Sequence, residues 1–521
     1  MRLTRRETLG AFAAAAASAA PARAGTAASP RATTIHGPVI GARDHGVLSF
    51  KGVRYGADTR PTRFQPPRPP APWSRPVEAL TYGAASPQSG GEADQSEDCL
   101  FLNVWTPGLD AGRRPVMVYV HGGAYSTGSG SSPLYDGSRL AMRGDVVVVT
   151  LNHRLNLFGY ASLARFDAGL PHSGNAGQLD LVLALQWVRD NIAAFGGDPG
   201  RVMVFGQSGG GAKIATLMAT PAAAGLFHRA ATMSGQQVTA SGPLNAARRT
   251  RALLDAAGVG PERVRDLLDM PAEALLEAAR VTDPVLGYGS LYFGPVVDHQ
   301  TLFRHPFYPD APAQSAGVPM IIGNTRDETL GFLGGDPANA GLTWESLPGR
   351  MSPEVLRIDV APEVVIAEYR RLHPDWTPDQ VLIGASTAGR SWRGAVIEAE
   401  ARAAQRAPAW VYQMDFPGTL ENGRTGAFHT VDIPLAFDNV DAAGSRVTGP
   451  GARAVAARLS DAFIALARSG DPNHAGLPAW TPYGLTHRET MVFDVETRLE
   501  NDPRGDERRF FAGIPYVQPG T

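Results

Sequence analysis

Cysteine is nearly absent. Cys99 is the only thiol in 521 residues, so no disulfide can form within the chain. The core alone must hold the fold, and Cys99 reads as a small buried hydrophobe rather than a reactive thiol. An excess of charge is missing too. The 48 Lys and Arg nearly balance 50 Asp and Glu for a formal net charge of −2, which leaves no electrostatic footprint for nucleic acid. No zinc-type His/Cys cluster stands out, so no metal is expected, and the chemistry its motifs indicate needs no organic cofactor. No linker, charge block or fixed-period repeat divides the chain. With 43% hydrophobic and 19% charged residues it reads as one large α/β domain with insertions, residues 25–521.

Residues 1–24 differ in kind. Thr4-Arg5-Arg6-Glu7-Thr8-Leu9 precedes an apolar run from Leu9 to Ala20, and Ala22-Arg23-Ala24 offers an A-x-A cleavage site. This resembles a twin-arginine export signal, and the run of mostly Ala is too short for the ~20 residues of a membrane span. The expectation is a mature chain from near Gly25, periplasmic or secreted, with no integral membrane span.

The chain is organised around Val202-Met203-Val204-Phe205-Gly206-Gln207-Ser208-Gly209-Gly210-Gly211. β-formers end in Gly, one Ser follows, and small apolar residues continue. That predicts strand, tight turn and helix, with Ser208 at the apex of a G-x-S-x-G nucleophile elbow. The motif is short and carries weight only with its context.

His121-Gly122-Gly123-Ala124-Tyr125 supplies the first context, after the apolar strand Pro115 to Val120. Acyl transfer needs N–H donors fixed where negative charge develops, and small residues let backbone approach. Gly123, Ala124 and Gly209 are the candidate oxyanion donors. Asp145 to Asn152 predicts another buried strand, and Leu179, Val182, Leu183 and Trp187 fall at helical spacing before the elbow strand. Strand, helix, strand in that order predicts parallel pairing, with Ser208 at the carboxyl edge of the sheet. Further strands are expected at Glu97 to Trp105, Val318 to Gly323 and Ala409 to Phe416. Residues 239–286 and 338–406 read as helical caps over the site.

A triad acid belongs just past a strand end, where Asn324-Thr325-Arg326-Asp327-Glu328 lies. Of the His residues after it, only His429 closely follows a strong strand. The order Ser208, Glu328, His429 is that of α/β-hydrolases, which gives the fold class: a mostly parallel central sheet flanked by helices, with helical cap insertions.

Together these stretches resemble the type B carboxylesterase family, which includes cholinesterases and bacterial para-nitrobenzyl esterases. The likeness runs from about Gly37 to Pro515. It includes F-K-G-V-R-Y at Phe50 to Tyr55, E-D-C-L-F-L-N-V at Glu97 to Val104, F-G-G-D-P at Phe195 to Pro199, and the N-x-x-D-E and H-x-x-D-I-P segments. The resemblance implies that Glu328 rather than Asp327 is the acid, and that Ser234 is a supporting hydroxyl near the triad. Two departures stand out: Gln207 where the family usually has Glu, and Thr329 where it usually has Gly.

The expected function is serine hydrolysis of small-molecule carboxylic esters. An amidase or acyltransferase on the same triad, or a non-catalytic esterase-like binding protein, are the alternatives; the last predicts loss of a triad member. Uncharged esters are expected over choline esters, since Ser89 to Ser96, where cholinesterases carry their chief aromatic, contains none. Oligomeric state is left open.

Overall fold

The computed structural model describes residues 29–518. The expected export signal lies outside them. Eleven strands form the central sheet: β1 Ala42–Asp44, β2 Val47–Arg54, β3 Phe101–Thr106, β4 Arg114–Val120, β5 Val147–Leu151, β6 Gly197–Gln207, β7 Arg229–Met233, β8 Met320–Thr325, β9 Ala409–Met414, β10 Glu489–Phe493 and β11 Arg498–Asn501. Their spatial order is β11-β10-β9-β8-β7-β6-β4-β5-β3-β2-β1. From β10 to β5 every neighbouring pair is parallel, and antiparallel strands close both edges. This is the α/β-hydrolase architecture.

Side chains alternate across each strand, and both faces are covered. Val116, Val118, Val202 and Val204 pack to one side with the helix Ala176–Asn191. Met117, Tyr119, Met203 and Phe205 pack to the other with the helix Ala452–Ser469. That double burial is why β4, β5 and β6 read as continuous apolar runs. Cys99 is fully buried, and burial pushes its thiol well up, as expected of an inert core residue.

Three expectations need correction. β5 and β6 are parallel but not paired, because β4 lies between them and bonds to both. β3 starts at Phe101 instead of Glu97, and the two carboxylates ahead of it are taken by arginines: Glu97 pairs with Arg63 and Asp98 with Arg54 at the end of β2. The second helical region is not all cap either. Its last helix, Arg393–Ala404, buries Ala395 and Ala399 in the sheet layer. Most of the rest forms a separate apolar cluster, as do the helices of 239–286, while Ile383 joins the layer on the other face of the sheet. Among the described residues no helix is long and apolar enough to cross a membrane.

Candidate active site

The register brings the chemistry to one edge. Val120 pairs with Gly206, Gln207 with Met233, and Met233 with Gly323, so His121, Ser208 and Ser234 follow adjacent strand ends and Glu328 lies just beyond β8. Two bonds carry the ladder one step past the strands: Ser208 N–H donates to the Met233 carbonyl and Ser234 N–H to the Gly323 carbonyl, each at 2.7 Å.

Ser208 turns from β6 into the helix Gly209–Ala219 at φ +56° and ψ −127°, a region that L-residues rarely occupy. Surrounding packing holds that strain. A Cβ on Gly209 would overlap the Ala124 backbone, one on Gly210 the Val120 carbonyl, and one on Gly235 the Ser208 carbonyl. The glycines therefore let three chain segments touch behind the serine. Ala124, Ser234 and Thr430 also have positive φ, so the loops after β4 and β7 and the histidine loop carry strain as well.

The loop after β4 is fixed by Ser126 N–H and Thr127 N–H, which donate to the Gly123 carbonyl at 3.1 and 3.0 Å. Among the described residues, the N–H groups of Gly123, Ala124 and Gly209 have no intramolecular acceptor. The helix N-terminus at Gly209 adds partial positive charge there. Beneath the loop the rings of His121 and His153 stack at 4.9 Å, and burial, then the nearby Lys213 charge, pushes His121 down to about 3. It stays neutral.

Glu328 is fully buried, with Oε2 at 2.5 Å from His429 Nδ1. Its Oε1 accepts from Thr325 N–H at 2.9 Å and from Asn324 Nδ2 at 3.2 Å. Burial alone would raise this carboxyl, but His429, Ser234 and the Thr325 N–H together outweigh it and hold it below its ordinary value. Ser234 contributes from close by, without a hydrogen bond of good geometry. Thr329, one of the two departures, bonds through Oγ1 to the Ile383 carbonyl, Ser386 and Thr387, tying the acid loop to the helix Pro378–Thr387. Asp432, in the H-x-x-D-I-P segment, accepts from Tyr412 OH of β9 at 2.7 Å and so pins the histidine loop.

The other departure is also at the centre. Gln207 is buried, and its Nε2 lies 3.2 Å from His429 Nε2. Ser208 Oγ makes no hydrogen bond among the described residues.

Ser208, Gly209, Ala124, Ser234, Glu328 and His429 all line one cavity of about 360 Å³; Gly123, exposed, and Gln207, buried, are the chain neighbours of Ala124 and Ser208. Residues that the sequence did not single out complete it. Phe332 packs 4.8 Å from the His429 ring, Tyr288 and Tyr292 come from the loop that follows the first cap region, and Arg357 and Arg390 from the second cap region. Their only local signal is the Gly and Tyr density around residues 287–292 and a Gly before Arg390.

The carboxylesterase family model matches residues 28–367 and 380–511. The para-nitrobenzyl esterase of Bacillus subtilis (strain 168) is 36% identical over 493 residues, covering 92% of this chain and 97% of its own. The phenmedipham hydrolase of Pseudarthrobacter oxydans is 32% identical over 490 residues, covering 90% and 95%. Among solved structures, the Geobacillus stearothermophilus carboxylesterase superposes with a TM-score of 0.82 at 37% identity, over 92% of this chain and 99% of that one. This chain belongs to the carboxylesterase family and is a serine hydrolase of carboxylic esters.

Proposed function

We propose that Ser208 is the nucleophile, His429 the general base and acid, and Glu328 the carboxylate that orients it. Ser208 Oγ attacks the ester carbonyl carbon while His429 Nε2 takes its proton, and the oxyanion is held by the N–H groups of Gly123, Ala124 and Gly209. His429 returns the proton to the departing alkoxide as the C–O bond breaks. Water, deprotonated by the same nitrogen, then releases the carboxylic acid from the acyl-enzyme. Glu328 holds the proton on Nδ1 and stabilises the imidazolium. The observation that carries this reading is the 2.5 Å Glu328–His429 contact in the same cavity as the strained Ser208. Ser208 and His429 line the same cavity, and their hydrogen bond is to form in the substrate complex, as catalytic hydrogen bonds often do.

Folded Ser208→Ala should lose roughly 10⁶-fold in turnover. A serine-directed phosphonate should add its mass to the peptide holding Ser208 and to no other. Retention of more than about a hundredth of the wild-type rate overturns the assignment.

We also propose that residues 1–24 are an export signal of the twin-arginine type and that residues 25–521 are the esterase, working in the periplasm or outside the cell. Arg5-Arg6 before an Ala-rich run supports this. Replacing both by Lys keeps the charge and should abolish export; mature enzyme still found in the periplasm would refute the route.

A further inference from the structure

Two guanidiniums meet in the active-site cavity with no carboxylate to neutralise them. Arg357 follows the short helix Pro353–Leu356 in the left-handed conformation, φ +59°. Arg390 sits in a single π-helical turn, Ala388–Trp392, inserted between the helices Pro378–Thr387 and Arg393–Ala404. The residues before them are packed backbone to backbone: a Cβ on Gly389 would lie 2.5 Å from the Leu356 carbonyl oxygen. That contact places Arg357 and Arg390 side by side. π-turns of this kind recur at functional sites because they redirect one side chain.

Arg357 is held by Tyr288, whose hydroxyl accepts from Nη1 at 2.8 Å, while its buried Nε has no partner. Arg390 lies 4.7 Å from the centroid of Phe332, and Phe332 packs on His429. Among the described residues Arg390 has neither a hydrogen bond nor an ion pair. Burial, then the like charge of Arg357, pulls its guanidinium down to about 10, so it remains charged at neutral pH. Glu354 at the rim and Glu328 below offset part of the positive potential, but neither pairs with either arginine. Most other arginines among the described residues sit on a carboxylate, for example Arg154 on Asp180 and Arg249 on Asp283. Two like charges forced together in a half-buried cavity are relieved by an anion between them.

Resting on the reading of this cavity as the active site, we propose that it selects esters carrying a free carboxylate. Arg390, with Arg357 beside it, receives that carboxylate while the ester carbonyl lies on Ser208. Guanidinium suits the task because its planar fork matches a carboxylate. The steps of 4.8 Å from His429 to Phe332 and 4.7 Å from Phe332 to Arg390 limit the separation. An extended chain gains ~3.5 Å per three bonds, so carboxylate and ester should be no more than roughly eight bonds apart. Half-esters of short dicarboxylic acids fit, as do esters of short hydroxy acids. The bond cleaved is the ordinary ester bond; the distal carboxylate is bound and unchanged.

Two matched pairs test this. Mono-4-nitrophenyl adipate against 4-nitrophenyl 6-methylheptanoate puts the charge on the acyl side. The butyrate ester of 5-hydroxypentanoate against 5-methylhexyl butyrate puts it on the alcohol side. The wild-type enzyme should prefer the anionic member of at least one pair by tenfold or more in kcat/KM. That ratio should fall at least tenfold in Arg390→Met, fall less in Arg357→Met, and recover in part in Arg390→Lys. Equal use of both members in both pairs overturns the proposal whether or not the variants fold, and so does a ratio unmoved by Arg390→Met. If the wild-type enzyme hydrolyses no member of either pair, the reading of the Ser208 cavity itself fails and this proposal falls with it.

Discussion

His429 Nδ1 lies 2.5 Å from Glu328 Oε2, while the adjacent carboxylate of Asp327 turns the other way to accept from Ala427 N–H at 3.0 Å and to pair with Arg326. Two neighbouring acids thus have separate work. Glu328 faces the imidazole, and Asp327 clips the strand end to the histidine loop. Glu328→Gln should lower kcat by a factor of 10³ or more, the scale seen when a triad carboxylate is made neutral. Asp327→Asn should cost less than tenfold in kcat and appear chiefly as lost stability. Steady-state kinetics beside thermal unfolding separates the two; a larger kcat loss at Asp327 would reverse the roles.

Much of this site was legible because each part is set by residues close in sequence. A Gly-flanked Ser after an apolar strand, a Gly-rich loop after another, and an acid and a His past two more are local patterns; strand register brings the first three together, and the Tyr412–Asp432 bond holds the histidine loop against them. What local pattern does not specify is which strands become neighbours. That is why β4 between β5 and β6 was not foreseen, and why the Glu97-Asp98 pair looked like strand when it serves Arg63 and Arg54. The cavity wall was hidden for the same reason. Arg357 and Arg390 meet through the packing of Gly389 on Leu356, a contact between remote segments, and nothing in either segment announces it.

Gln207 offers a pH test. Its amide lies against His429 Nε2 at 3.2 Å, where a Glu would put negative charge beside the imidazole. A nearby anion favours the imidazolium, so Gln207→Glu should move the acid limb of kcat/KM to higher pH. A limb unmoved, or moved to lower pH, would mean that position 207 is not electrostatically coupled to the base.

Lys213 stands on the nucleophile helix, fully buried, with Nζ 3.2 Å from the His121 carbonyl oxygen. Burial pulls its ammonium from an ordinary 10.5 down to about 7. Because the folded value lies below the unfolded one, this lysine costs stability. The cost is full below about pH 7 and fades as pH rises to 10.5. At ~1.4 kcal/mol per unit, Lys213→Met should gain on the order of a few kcal/mol at pH 6 and little at pH 10. Urea unfolding at the two pH values measures it, and an equal gain at both would assign the effect to packing alone.

Gly210 tests how closely the elbow must pack. Its missing Cβ leaves room for the Val120 carbonyl, whereas a Cβ on Gly242 would meet nothing within 4 Å. Gly210→Ala should destabilise by about 1–3 kcal/mol or more and lower activity by displacing Ser208. Gly242→Ala should change both little. Thermal unfolding of the pair decides, and a tolerated Gly210→Ala would mean that the helix can move off β4 without harm to the site.

Cationic esters should be poor substrates. Quaternary ammonium recognition uses an open aromatic face, worth about 0.5–2 kcal/mol each. The segment Ser89 to Ser96 supplies none, but the cavity does contain aromatics: Tyr125, Tyr288, Tyr292, Phe332 and Tyr516. Each is already occupied. Lys213 lies over Tyr125 at 5.5 Å, Arg357 over Tyr288 at 5.1 Å, Arg249 over Tyr292 at 5.8 Å, Arg390 over Phe332 at 4.7 Å and Arg393 over Tyr516 at 5.7 Å. A second cation at any of these rings meets both a spent π-face and like-charge repulsion. Butyrylcholine should therefore be a poorer substrate than 3,3-dimethylbutyl butyrate, which has its shape without its charge, by at least about tenfold in kcat/KM, or roughly 1.4 kcal/mol. The gap should narrow as salt is added, because part of it is charge repulsion across a solvent-open cavity. A preference for the choline ester would show that one of these five rings turns its free face to the substrate.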